Sequence, residues 1–478
     1  MTIGYQTDKP VANAEIYRRC ANFGVLHVNV ALFERGGWLL WLEIKYGVKL
    51  DKTADFDFLG WIVAACSIGC TIANPIYGYW NQKTMSVKWP VIAGFLIAAL
   101  GQLWYGLLAS FSSNVKWLML CARLLTGLGV GNVSALRAYA AMASTPDDRM
   151  RAISFGVAGF ALGFSFGPVI SSAFTPLGED GIHIVGVHVN MYSSVAYLMV
   201  VICLLASLSV YFFFKENYAG VLTKEEKEND DIVIPKFDRP AAFICIYLFM
   251  IVNIIATIVE VMSSPLTTVM YDWKDSDSVF YNGMILAASS AVSFSLNVAQ
   301  GTTRIGKIDK RIQMLFGLSL FLLYQLFMYP WSFYSGPLNF LPDGVETTHA
   351  GGCYPSYAWC AETTRVPIFI YFFCFIVIFG VAFPFVETTS PTLFSEILGP
   401  RKQGNMQGVF SLCGSFAPVI ASLSSTLIFK HTGYRYVTIL QTACLLLAVL
   451  LILLFYKRLV PLKPIMKSET STTIISSK

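Results

Sequence analysis

Polar residues interrupt this chain at short intervals. Between the breaks lie runs of about twenty or more mostly apolar residues, the length a helix needs to cross a bilayer. Twelve such runs stand out, at 21–44, 57–80, 89–110, 115–143, 150–174, 191–214, 241–270, 279–303, 311–331, 366–392, 405–429 and 435–456. Six precede and six follow residues 215–240, KENYAGVLTKEEKENDDIVIPKFDRP, whose charge marks a solvated connector. The pattern predicts an all-α polytopic membrane protein. Its expected parts are a polar segment at 1–20, a six-helix bundle at 21–214, a linker at 215–240, a second six-helix bundle at 241–456 and a polar tail at 457–478.

Composition supports this reading, with 55% hydrophobic and only 13% charged residues, where a soluble chain carries about 25% charge. The net charge of +5 is spread over short loops and gives no footing for nucleic acid. Its distribution sets the orientation. Of the 34 Lys and Arg, 23 fall on the side that holds both ends of the chain and the linker, and 8 on the other. The crowded side is expected to be cytosolic. The first twenty residues contain no apolar stretch typical of a cleaved signal, so the first run is expected to serve as the insertion signal.

The two halves echo one another. Phe58–Ser67, FLGWIVAACS, returns as Tyr281–Ser290, YNGMILAASS, and Ser165–Ser172, SFGPVISS, returns as Ser415–Ser422, SFAPVIAS. The first echo joins runs two and eight, and the second joins runs five and eleven. A shift of six runs in both cases implies parallel halves with a binding site between them near mid-membrane.

Charged residues inside apolar runs are the natural candidates for that site, because each is costly unless it faces a polar interior. Glu34 and Arg35 sit in the first run. Neighbours on a helix diverge by about 100°, so the two cannot share one face. The six-run shift gives Glu260, in run seven, roughly the place in the second half that Glu34 has in the first. Pro265 follows Glu260, and Gly36-Gly37 follows Arg35, so both acids have a flexible point beside them. Run four carries Arg123 and, fourteen residues on, Arg137, a spacing of nearly four turns that puts both near one helix face. Glu387 in run ten, between Pro384 and Pro391, is a third buried acid that lines a cavity or answers freed backbone groups. The bland alternative for all of these is structural ion pairing, and Pro and Gly are common in membrane helices in any case.

Other features read as packing. Gly127 and Gly131 form a small-residue face, Gly163 and Gly167 with Pro168 do the same in run five, and Pro418 matches them in run eleven. Cys353 and Cys360 share the long loop on the sparsely charged side, where a disulfide is the expectation and two free thiols the alternative. Gly301–Ile308, GTTRIGKI, resembles a phosphate-binding loop but lacks the hydroxyl after its Lys, so no nucleotide hydrolysis is expected. The five histidines have no metal-ligand spacing, and neither metal nor cofactor is expected.

Taken together, the twelve runs, the duplicated halves, Arg123 with its glycines and the Gly167-Pro168 pair resemble the major facilitator superfamily. FLGWIVA at 58–64, ARLLTGLGVGN at 122–132, PLTTVMYDW at 265–273, YNGMILAA at 281–288 and ILGPRKQG at 397–404 narrow the resemblance to an endolysosomal branch. The resemblance implies a lysosomal or late endosomal membrane protein that moves solute or conducts chloride. The expected function is secondary active transport of a small anionic solute by alternating access, coupled to protons through Glu34 and Glu260, with Arg35 and Arg123 holding the solute's anionic part. An anion channel using Arg35, Arg123 and Arg137 is the alternative, and a non-transporting interaction partner is a third reading. An enzyme is not expected.

Overall fold

The structure, a computed structural model, describes residues 56–111, 114–145, 148–178, 181–184, 187–218, 221, 232–334, 337–341, 350–355, 357–462 and 465–466. The first apolar run, with Glu34, Arg35 and the Gly36-Gly37 pair, lies outside them. In the first half, helices α1 (Phe56–Thr84), α2 (Lys88–Gly106), α3 (Val115–Val130), α4 (Val133–Ala143), α5 (Arg149–Ala173) and α6 (Met191–Phe213) follow one another. The second half holds α7 (Arg239–Tyr271), α8 (Asp275–Thr302), α9 (Lys310–Met328), α10 (Ile368–Phe373), α11 (Gly380–Glu387), α12 (Thr389–Leu398) and α13 (Gly404–Leu454).

Local chemistry sets these boundaries. Asn190 and Ser193 cap the start of α6 reciprocally, each side chain accepting from the other residue's backbone N–H. Asp309 caps α9 by accepting from the Arg311 backbone N–H at 2.9 Å. At 51 residues, α13 would run to roughly 75 Å at 1.5 Å per residue, more than twice a bilayer core. Gly433 resolves this. Its φ of 69° and ψ of −169° are non-helical, and they split the element into the two expected spans. The tenth span is also composite. A π-helical stretch, Cys374–Phe379, joins α10 to α11, and Thr388 separates α11 from α12. This span continues to Leu398, past the expected end at 392, because the residues after Pro391 are buried and helical.

Two short strand pairs accompany the helices of this all-α protein. β1 (Ile182–Ile184) and β2 (Val187–Val189) form a hairpin between α5 and α6. In the second pair, β3 (Ile232–Val233) of the linker pairs antiparallel with β4 (Ile465–Met466) of the tail. On the opposite side of the membrane, Cys353 and Cys360 are joined as a disulfide, and Trp359 covers Gly433.

The seam between the halves consists of the repeated segments. α1 packs along α13, and α5 along α8. The echo maps α1 onto α8 and α5 onto α13, so the two contacts are copies of one arrangement. Glycines bring α1 and α13 close together: a Cβ on Gly78 would lie 2.7 Å from the Gly404 carbonyl oxygen. Within the first half, α3 meets α1 in the same way, and a Cβ on Gly127 would lie 2.0 Å from the Cys66 carbonyl oxygen.

A candidate functional site between the two halves

Arg137 on α4 and Glu387 at the end of α11 meet across the interface, 3.5 Å apart. Both belong to apolar stretches that fold as membrane helices, and burial leaves such charges little choice but to find each other. Glu387 is 4% exposed. Its second oxygen accepts from the Asn253 side chain at 3.4 Å. That amide also donates to the Phe249 carbonyl, one turn back on α7, at 2.9 Å. The Arg137 guanidinium lies 4.6 Å from the centroid of the Phe249 ring. Phe249 stacks on Phe410, and Phe410 on Phe394, an aromatic column in the second half. A cation from one half thus rests on a carboxylate and an aromatic face supplied by the other.

A small cavity of about 40 Å³ opens beside this pair. Ile153, Val157 and Phe160 of α5 form one wall, and Pro391 and Gln407 the other. The polar groups lining it are therefore Arg137, Glu387 and Gln407. This combination of apolar walls and few polar groups suits a small-molecule site.

Toward the linker side the halves are fastened again. Arg149 donates to the Ser395 carbonyl at 3.4 Å, near the end of α12. Arg151 donates to the Gly301 carbonyl at 3.0 Å, in the last turn of α8, where the helix dipole favours a cation. Within the second half, Glu396 pairs with Lys310 at 3.3 Å.

The other expected residues are placed as follows. Glu260 lies seven residues beyond Asn253 on α7, two turns or about 10 Å along the same face. Pro265 sits within α7 without ending it. Arg123 is 8% exposed and stays inside the first half, its guanidinium 4.9 Å from the Tyr105 ring centroid. The expectation that Arg123 and Arg137 share one face assumed an unbroken helix. Between α3 and α4, however, Gly131 and Asn132 have φ/ψ of −55°/−9° and −61°/−14°. These angles wind tighter than an α-helix, and the two arginines take different surroundings. Gly131 packs on Ala73 of α1, and Pro418 is buried within α13. Gly167 and Pro168 lie within α5, their side chains outside the described residues.

The family model described as Major Facilitator Superfamily matches residues 31–343 and 350–474. The chain belongs to the major facilitator superfamily. Within it, the chain is similar to major facilitator superfamily domain-containing protein 8 of Xenopus laevis, with 29% identity over 451 residues and 87% of each chain covered. Two solved structures share its fold. The human organic anion transporter MFSD10 (TETRAN) superposes with a TM-score of 0.61 at 15% identity, over 91% of this chain and 99% of that one. The proton:xylose symporter XylE bound to 6-bromo-6-deoxy-D-glucose does so with a TM-score of 0.65 at 14% identity, over 92% and 96%. Membership in this family of transporters makes the chain a multi-pass membrane protein and supports a role in transmembrane transport.

For a superfamily member, the two residues missed from sequence are the informative ones. Asn253 is flanked by apolar residues in FMIVNIIA, and Gln407 stands in the first turn of α13. Each is a buried amide in a membrane segment, and that was the signal to follow.

Proposed function

We propose that this chain is a secondary active transporter of a small solute bearing an anionic group, working by alternating access in the endolysosomal membrane. The observation that carries this reading is the Arg137–Glu387 pair, which joins the halves beside the cavity at the long distance of 3.5 Å. Arg137 has five donors and no acceptor, so an anionic group entering the cavity competes with Glu387 for it. Once displaced, Glu387 is left to a proton or to Asn253, and the halves lose one of their ties on the linker side. Glu260, and Glu34 outside the described residues, are the further candidates for proton coupling. The linker side is assigned to the cytosol from its excess of Lys and Arg.

The test uses the full chain in proteoliposomes under an imposed pH gradient. Saturable uptake of organic-anion probes that is abolished by Glu387→Gln supports the reading. Passive chloride conductance that persists in Glu387→Gln and does not saturate favours an anion channel on the same fold. Proton flux that survives Glu34→Gln and Glu260→Gln together removes those two from the coupling path.

A further inference from the structure

Gln407 borders the cavity with Arg137 and Glu387, and its neighbours fix which end of its amide is which. Gln403 donates through its side-chain nitrogen to the Ser395 carbonyl at 3.0 Å and the Gly399 carbonyl at 2.9 Å. The other end of Gln403 must then be oxygen, and it accepts from the Ser395 hydroxyl at 2.9 Å and from the Gln407 nitrogen at 3.3 Å. The chain of donors leaves Gln407 with a spare carbonyl oxygen. That oxygen is buried and has no hydrogen-bond partner among the described residues, in a residue only 2% exposed. A buried acceptor without a donor is costly, and a solute that brings a donor relieves that cost.

From this we infer that the solute is an α-amino acid zwitterion with a small apolar side chain, an inference that rests on the transport reading of the same cavity. Its carboxylate goes to Arg137 and its ammonium to Glu387 and Gln407. The donor and acceptor inventories match. Arg137 only donates, while ionised Glu387 and the Gln407 oxygen only accept, and an ammonium has three protons to give. The spacing matches too, because Arg137 and Glu387 are 3.5 Å apart and an α-amino acid carries its two charges on adjacent carbon and nitrogen substituents. A plain carboxylate would satisfy Arg137 but leave the Gln407 oxygen without a donor and the Glu387 charge without its cation. A plain amine would leave Arg137 without an anion. Val133, Ala140, Ile153, Val157 and Phe160 offer the side chain no charge.

The experiment measures counterflow in proteoliposomes holding the full chain. The probes are labelled alanine, valine and leucine, their deaminated acids (propionate, 3-methylbutanoate and 4-methylpentanoate), their decarboxylated amines, and leucylleucine. The expected result is counterflow of at least one amino acid, at least about tenfold above its acid and its amine, since each omits a charged hydrogen bond. Gln407→Met should raise the KM for that amino acid by about tenfold and narrow its advantage over the deaminated acid. Equal counterflow of acid and amino acid, preference for the amine or for leucylleucine, or movement of none of the probes overturns the inference. Saturable uptake of some other anion that Glu387→Gln abolishes would leave the transport reading standing. The comparison of probes on the unaltered protein decides the matter even if Gln407→Met does not fold.

Discussion

Arg123 and Arg137 start from the same membrane-spanning stretch and end in different kinds of place. Arg123 is buried and rests on Tyr105 of its own half. Arg137 reaches out of that half, and its carboxylate and aromatic partners come from the other. One arginine is positioned to hold a bundle together and the other to report whether two bundles are together. Their place in membrane helices does not distinguish them. What distinguishes them is whose residues they touch.

The largest expected effect is at the bridging pair. Arg137→Met or Glu387→Gln each breaks a partly buried pair, a loss of about 3 kcal/mol, the low end for a buried pair broken on one side. Uptake in proteoliposomes should fall by roughly a hundredfold or more, by the same arithmetic of about 1.4 kcal/mol per tenfold. The exchange Arg137→Glu with Glu387→Arg should recover part of it. Arg123→Met should behave differently, lowering the thermal stability of the purified protein by about 2 kcal/mol through its lost aromatic contact and leaving KM nearly unchanged. A large KM change in Arg123→Met with unaltered stability would reverse the two assignments.

The glycine contacts sharpen the same contrast at smaller scale. Gly127 touches α1 within one half, and Gly78 touches α13 across the seam. Gly127→Ala forces two backbones apart at a cost of about 1–3 kcal/mol, to be read as a drop in Tm. Gly78→Ala should instead loosen the linker side, increasing the labelling of single cysteines placed in that interface. The smallest effect is expected at Arg458 and Asp238, a fork at the protein surface with Arg458 half-exposed and bonds of 2.7 and 2.9 Å. Solvent screens such a pair, so Arg458→Ala should leave Tm and uptake where they are.

Much of this fold was legible in the sequence for a simple reason: a bilayer imposes a length and an apolar composition on every segment that crosses it. The break at Gly433 could be read from the polar run KHTGYR between two apolar stretches, and the seam from the echoes between α1 and α8 and between α5 and α13. The site was legible only in part. Arg137 and Glu387 were visible as buried charges, but they lie 250 residues apart, and helical periodicity carries no information about partners at that distance. Asn253 was hidden by the apolar residues around it, and Gln407 by its place near a helix start. The tighter winding at Gly131 and Asn132 was not anticipated from the apolar run that contains them.

The most direct test of the bridging role is the distance between Thr145, just past α4, and Lys402, between α12 and α13. Spin labels at these two positions, in protein otherwise free of reactive cysteines, report the separation by pulsed electron paramagnetic resonance. Glu387→Gln is expected to shift the distribution toward a longer distance and Arg123→Met to leave it unchanged. Identical distributions for Glu387→Gln and the unaltered protein would contradict the claim that Arg137 and Glu387 hold the halves together.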